Sequence, residues 1–157
     1  MRTAPLLAAA VVACSTAAIA ANPFEAFKGK MKEGLYEYKM EMDMGKVPGM
    51  PEGMSMGKMS PPPFQKCVTP QDIEKGEMAR GRDGKPPGDC EIKDFNMSGN
   101  TATYTMTCTK PSEMTADNKI TFRSDGFTMD MKMAMNQRGQ MMNMTQHMES
   151  RYLGPCK

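Results

Sequence analysis

The sequence predicts a mainly β protein: an antiparallel curved sheet or meander of about six strands with one short helix, stapled by disulfides. Three observations predict it. Methionine recurs at alternate positions, as in Tyr36-x-Tyr38-x-Met40-x-Met42-x-Met44 and Phe127-x-Met129-x-Met131-x-Met133-x-Met135. A period of two marks one face of a sheet, because successive strand side chains point to opposite sides. Turn residues punctuate these runs, Asp125-Gly126 most clearly. Cysteines other than Cys14 number four, an even set.

The chain opens with Arg2, an apolar stretch from Pro5 to Ala13, and Ala18-Ile19-Ala20. A positive start, a short apolar segment and an A-x-A site describe a secretory signal peptide over residues 1–20. A single β-rich domain then spans residues 21–157, in the periplasm or outside the cell. A membrane-anchoring helix is the competing reading, but the segment is Ala-rich and carries Ser15 and Thr16. Cleavage leaves no transmembrane span. Val11-Val12-Ala13-Cys14 loosely resembles a lipobox, so a lipid anchor on Cys14 is the second alternative.

Strand one is expected from about Leu35 to Met44, apolar at even positions and charged at Glu37, Lys39, Glu41 and Asp43. Residues 45–66 read as a Met/Pro/Gly-rich loop with no core pattern. Thr69 then suits an N-cap, Pro70 the first helical position and Asp72 the first turn, which predicts a short helix from Pro70 to about Ala79. Strand two (about Cys90–Met97) and strand three (about Thr101–Thr109) are joined at Ser98-Gly99-Asn100. Strand four (about Lys119–Ser124) turns at Asp125-Gly126 into strand five (Phe127 to about Asn136). Strand six runs from Met141 to about Leu153.

Register follows from the turns. A two-residue Asp125-Gly126 turn sets Phe122 against Met129, and a four-residue turn at 137–140 sets Met135 against Met142 and Met133 against Met144. Tyr38, Met40, Met42, Ile120, Phe122, Met129, Met131, Met133 and Met144 are then expected on one buried face. With no Trp, that core is expected to be built largely from Met.

Four cysteines allow three pairings. With Ser98-Gly99-Asn100 as a three-residue loop, Cys90 falls directly opposite Cys108 and Ile92 opposite Met106. Cys67 and Cys156 pair by elimination. The C-x-x-C spacing of a redox or zinc motif does not occur.

The formal charge is +2, falling to +1 when Arg2 leaves with the signal, which gives no electrostatic reason to bind nucleic acid. His147 is the one histidine and falls by parity on the polar face. Nothing in the spacing supplies it with an acid and a nucleophile, so an enzyme is the least supported class. The strand methionines read as core. Met50, Met54, Met56 and Met59, in a segment too polar to bury a core, are the candidate ligands for a soft cation, Cu(I) or Ag(I). The same segment also reads as an adaptable apolar surface for an envelope partner, and a small apolar ligand is the other candidate. No other cofactor is expected.

Gly34-Leu35-Tyr36-Glu37, the Met/Pro/Gly loop, Lys66-Cys67-Val68-Thr69-Pro70, Cys90, Cys108 and the terminal Arg151-Tyr152-Leu153-Gly154-Pro155-Cys156 resemble a family of small exported bacterial proteins, domain of unknown function 3617. Tyr36 stands where Trp is commoner. The resemblance implies an envelope location and paired cysteines. It implies no catalytic residue.

Overall fold

A computed structural model describes residues 22–45, 57–79, 89–110, 112–137 and 139–157. The expected signal segment, Cys14, Met50, Met54 and Met56 lie outside the described residues. The fold is one antiparallel sheet of eight strands. These are β1 (Gly34–Asp43), β2 (Lys58–Met59), β3 (Phe64–Val68), β4 (Cys90–Ser98), β5 (Thr101–Cys108), β6 (Met114–Arg123), β7 (Gly126–Gln137) and β8 (Gln140–Gly154). Their order is β2-β1-β8-β7-β6-β5-β4, with β3 also on β1. The sheet is open rather than a barrel, since its end strands are β4 and the β2/β3 pair.

Two strands exceed the expected six, and both fall in or beside the segment expected as a loop. β2 pairs the far end of β1, with Met59 opposite Met42. β3 pairs the near end, with Phe64 opposite Tyr38 and Val68 opposite Gly34. Between them stand Pro61, Pro62 and Pro63, which have no N–H to give to a ladder. The prolines cut one edge strand into two short pieces and remove its alternation from view.

The expected helix is shorter. α1 (Pro70–Glu74) ends near Gly76, whose φ of +67° breaks the helical path, and a 3-10 turn follows at Glu77–Ala79. Its start is as expected: Thr69 caps it, and Asp72 reaches back to the Thr69 N–H in a capping box. Partial burial opposes ionisation of Asp72, but hydrogen bonds from the Thr69 hydroxyl and N–H, helped by Lys66 and Lys75, outweigh it and hold the carboxyl below its ordinary value.

Three hairpins set the register. In β7 and β8, Met135 faces Met142, Met133 faces Met144 and Met129 faces Met148, as expected. In β6 and β7 the expected register is two residues out. Ser124 and Asp125 make the turn, Gly126 already belongs to β7, and Phe122 faces Phe127 rather than Met129. Gly126 is glycine for another reason: a Cβ there would run into the Ser150 carbonyl of β8. A shift of two keeps every side chain on its face, so the inside/outside assignment survives.

The third hairpin differs in two places that cancel. The β4–β5 turn has two residues, Gly99 and Asn100, which sets Ser98 opposite Thr101. A bulge between Lys93 and Asn96 then absorbs one residue, with Asp94 at a φ of +54°. Beyond it Ile92 faces Met106 and Cys90 faces Cys108. The bulge also flips parity, so that Phe95 and Met97 join Cys90 and Ile92 on the half-buried side. Disulfides join Cys90 to Cys108 and Cys67 to Cys156, with Cα atoms 4.0 and 5.7 Å apart. The second ties β3 to the end of β8.

The core corrects the expectation of a Met-built interior. Its largest buried side chains are mainly aromatic: Phe27, Tyr36, Tyr38 and Phe127, joined by Met78 and Met148. A 3-10 turn at Pro23–Phe27 lays Phe24 and Phe27 against Phe95, Tyr104 and Phe122. Tyr38 stacks on Phe64 with ring centres 5.1 Å apart and donates its hydroxyl to the Met78 carbonyl at 2.9 Å. α1 and the turn after it therefore seal one end of the sheet's inner face, using Ile73 and Met78. Burial pushes the Tyr38 phenol well above its ordinary value and that of Tyr104 up to about 12.

Candidate functional site: the methionine-lined end of the inner face

Strand pairing places the inner-face residues in rows that run across the sheet. Next to the Tyr38–Ser150–Phe127–Phe122 row at the sealed end, a second row reads Met40–Met148–Met129–Ile120–Ala102–Met97 from β1 to β4. Its centre is closed to solvent: Met148 is 1% exposed, Met129 3% and Ile120 0%.

The next row reads Met59–Met42–Gln146–Met131–Asn118–Tyr104. Two polar side chains break its apolar pattern. Gln146 is half-buried. Asn118 is buried, and its Nδ2 donates to the Ala116 carbonyl at 2.9 Å, while its Oδ1 has no partner. A buried acceptor left unpaired costs about 1–3 kcal/mol. The sequence reading missed Asn118 because it started that strand at Lys119. The spacing Ala116-x-Asn118-x-Ile120 carried the signal, a polar residue at an apolar position.

Two further rows lie beyond. Met144–Met133–Ala116–Met106–Ile92 runs from β8 to β4, and Met142–Met135–Met114–Cys108–Cys90 runs beside it. Met40, Met42, Met131, Met133 and Met144, expected to be mostly inaccessible on this face, are half-buried, whereas Met129 and Met148 are closed to solvent. Met131 and Met106 pack against the margin of the core cluster. Met133, Met135, Met142, Met144 and Met114 lie outside it. The reason is length. The covering elements, Pro23–Phe27 and Pro70–Ala79, span one end of the face, whereas β7 and β8 run on past them for several residues.

Of the candidate soft-metal ligands, Met59 stands in β2 opposite Met42 and is 40% exposed, at the margin of this thioether surface. Met50, Met54 and Met56 lie outside the described residues. The described residues hold no group of three or more His, Cys, Asp or Glu able to ligate a metal. Thioethers are the soft donors that remain.

The opposite face is polar. His147 Nδ1 lies 2.7 Å from Asp130 Oδ1, and Arg151 pairs with Glu37 at 3.1 Å. At one end a shallow hollow of about 310 Å³ is lined by Thr107, Thr115, Ala134, Asn136 and Met141 among others. Cys108, Thr109, Glu113 and Met114 complete its lining, which mixes hydroxyls, one carboxylate, one amide and thioethers.

Residues 31–156 match a family profile described as "Protein of unknown function (DUF3617)". The chain belongs to this family. The match takes in every strand, both disulfides and the whole methionine-lined surface. No curated protein and no solved structure matches the chain. Family membership therefore brings no activity with it, and the chemistry of the inner face has to be read from its own residues. Among the described residues, no helix is long and apolar enough to cross a membrane.

Proposed function

We propose that this is an exported envelope domain that acts by binding rather than catalysis, and that its ligand surface is the methionine-lined end of the inner face. One observation carries the reading: a single sheet face is sealed over one half and left as half-buried thioether outside the core over the other. Methionine makes an adaptable apolar surface, flexible enough to fit a ligand without a preformed cavity. Asn118 Oδ1, buried and unpaired beneath this surface, becomes a polar handle once the thioethers over it move aside. The ligand class is a small apolar molecule with one hydrogen-bond donor. Export is supported by the leader-like N-terminus and by two disulfides, which persist in oxidising compartments. Against catalysis, the single imidazole sits on the other face, paired with Asp130.

N-phenylnaphthylamine, apolar with one N–H, tests the reading. Its fluorescence should rise on binding, Met133→Gln with Met144→Gln should abolish the rise, and Asn118→Ala should weaken it. No rise with the parent protein refutes the reading. Cell fractionation tests export: the mature chain in the cytoplasm would contradict it.

A second reading is Cu(I) or Ag(I) binding by Met50, Met54, Met56 and Met59. Met59 favours it, since it adjoins Met42 and brings one of the four thioethers beside a strand thioether. Replacing all four with Leu keeps apolar bulk and removes sulfur. That variant should lose Cu(I) affinity at an unchanged melting temperature.

A further inference from the structure

Three methionines stand abreast on adjacent strands in two places. Met40, Met148 and Met129 do so on β1, β8 and β7. Met142, Met135 and Met114 do so on β8, β7 and β6. The first trio is locked in the core by Ile120, Tyr38 and Phe127, and two of its members are closed to solvent. The second is half-buried and outside the core cluster, so it keeps partial contact with solvent.

We infer that Met114, Met135 and Met142 form a thioether site for Cu(I), with Ag(I) as its chemical stand-in. This keeps the soft-metal chemistry of the second reading and rests on that alone; it replaces the ligands at residues 50–59 by strand residues, so the two assignments predict opposite outcomes for the loop variant. Neighbouring strands lie about 4.8 Å apart, so the outer two of three lie about 10 Å apart. A three-coordinate ion with bonds of about 2.3 Å, the length of a zinc–thiolate bond, needs its sulfurs about 4 Å from one another. Each outer side chain must therefore lean some 3 Å toward β7, within reach of an unbranched side chain with three rotatable bonds. Met133 and Met144, one level along, place two more thioethers beside the trio. Cys108, opposite Met114, is tied up in its disulfide and offers no thiolate. A neutral, all-sulfur donor set selects soft monovalent Cu(I) over Zn(II) or Mg(II). The other rows lack three adjacent accessible thioethers: Gln146 separates Met42 from Met131, and Ala116 separates Met133 from Met106.

The test is competition for Cu(I) against a chromogenic Cu(I) chelator under anaerobic conditions. It compares the parent, the M114L/M135L/M142L variant and the variant with Leu at 50, 54, 56 and 59. The inference expects one equivalent bound by the parent, at least tenfold weaker binding by the strand variant, and retention by the loop variant. Retention by the strand variant with loss in the loop variant overturns this site and leaves the soft-metal reading standing. No binding by the parent overturns both. A second measurement covers a strand variant that folds poorly. In methyl-labelled parent protein, Ag(I) should shift the ε-methyl resonances of Met114, Met135 and Met142, and Zn(II) should not. Shifts confined to other methionines overturn the assignment.

Discussion

Truncating methionines along one face measures where the sealed half ends. Met129 and Met148 are 3% and 1% exposed, so Met→Ala at either removes three heavy atoms from a closed core. At about 0.8 kcal/mol per buried methylene, the transfer loss alone is about 2.4 kcal/mol. The cavity left behind adds to it, because Ile120, Phe127 and Tyr38 cannot all close in, giving about 3–4 kcal/mol in total. Met135 and Met142 are half-buried and outside the core cluster, so the same change loses only part of the transfer term and leaves no closed cavity. About 1 kcal/mol or less is expected there. Urea denaturation of the four single variants, with disulfides intact, gives each midpoint and slope. Equal losses at all four positions would refute the division of the face.

Breaking the Cys67–Cys156 bridge, which spans 89 residues, should cost up to about 4–5 kcal/mol by the chain-entropy relation. Breaking Cys90–Cys108, spanning 18, should cost less than about 3, because strand pairing already holds that hairpin; melting of the two double-Ala variants ranks them. Gly126→Ala should lower the melting temperature more than Gly99→Ala, since only the former meets the Ser150 carbonyl, and the reverse order would show that the strand contact is misplaced. Stability should hold up to about pH 10 and fall from there toward pH 12. The Tyr38 and Tyr104 phenols are raised in the folded state, so the unfolded chain ionises first and draws the equilibrium toward itself. Tyr38→Phe with Tyr104→Phe should flatten that fall in the alkaline melting curve, and an unchanged slope would count against it.

The legible part of the fold was whatever parity protects. Alternation put Met133, Met135, Met142 and Met144 on one face, and the displaced Asp125-Gly126 turn moved no face assignment, whereas the bulge at Asp94 carried Phe95 and Met97 to the inner side against simple alternation. The register of a single hairpin was less secure. Gly126 reads as a turn residue, but its glycine answers a contact with β8, a strand 14 residues further on. β2 and β3 stayed hidden because three prolines erase alternation. Core composition was misread for a related reason. Phe24 and Phe27 sit in a short irregular segment with no period, yet they anchor the aromatic cluster. How far that cap reaches over the sheet decides which methionines are core and which are surface, and nothing local to the methionines encodes it.

The most direct test of the account is peroxide oxidation of the folded protein, followed methionine by methionine by mass spectrometry, with and without N-phenylnaphthylamine. Met133, Met135, Met142 and Met144 should oxidise readily in the free protein and slow when the probe is present. Met78, Met129 and Met148 should stay slow in both. If the first set oxidises no faster than Met129, the whole face is sealed and the proposed binding surface does not exist.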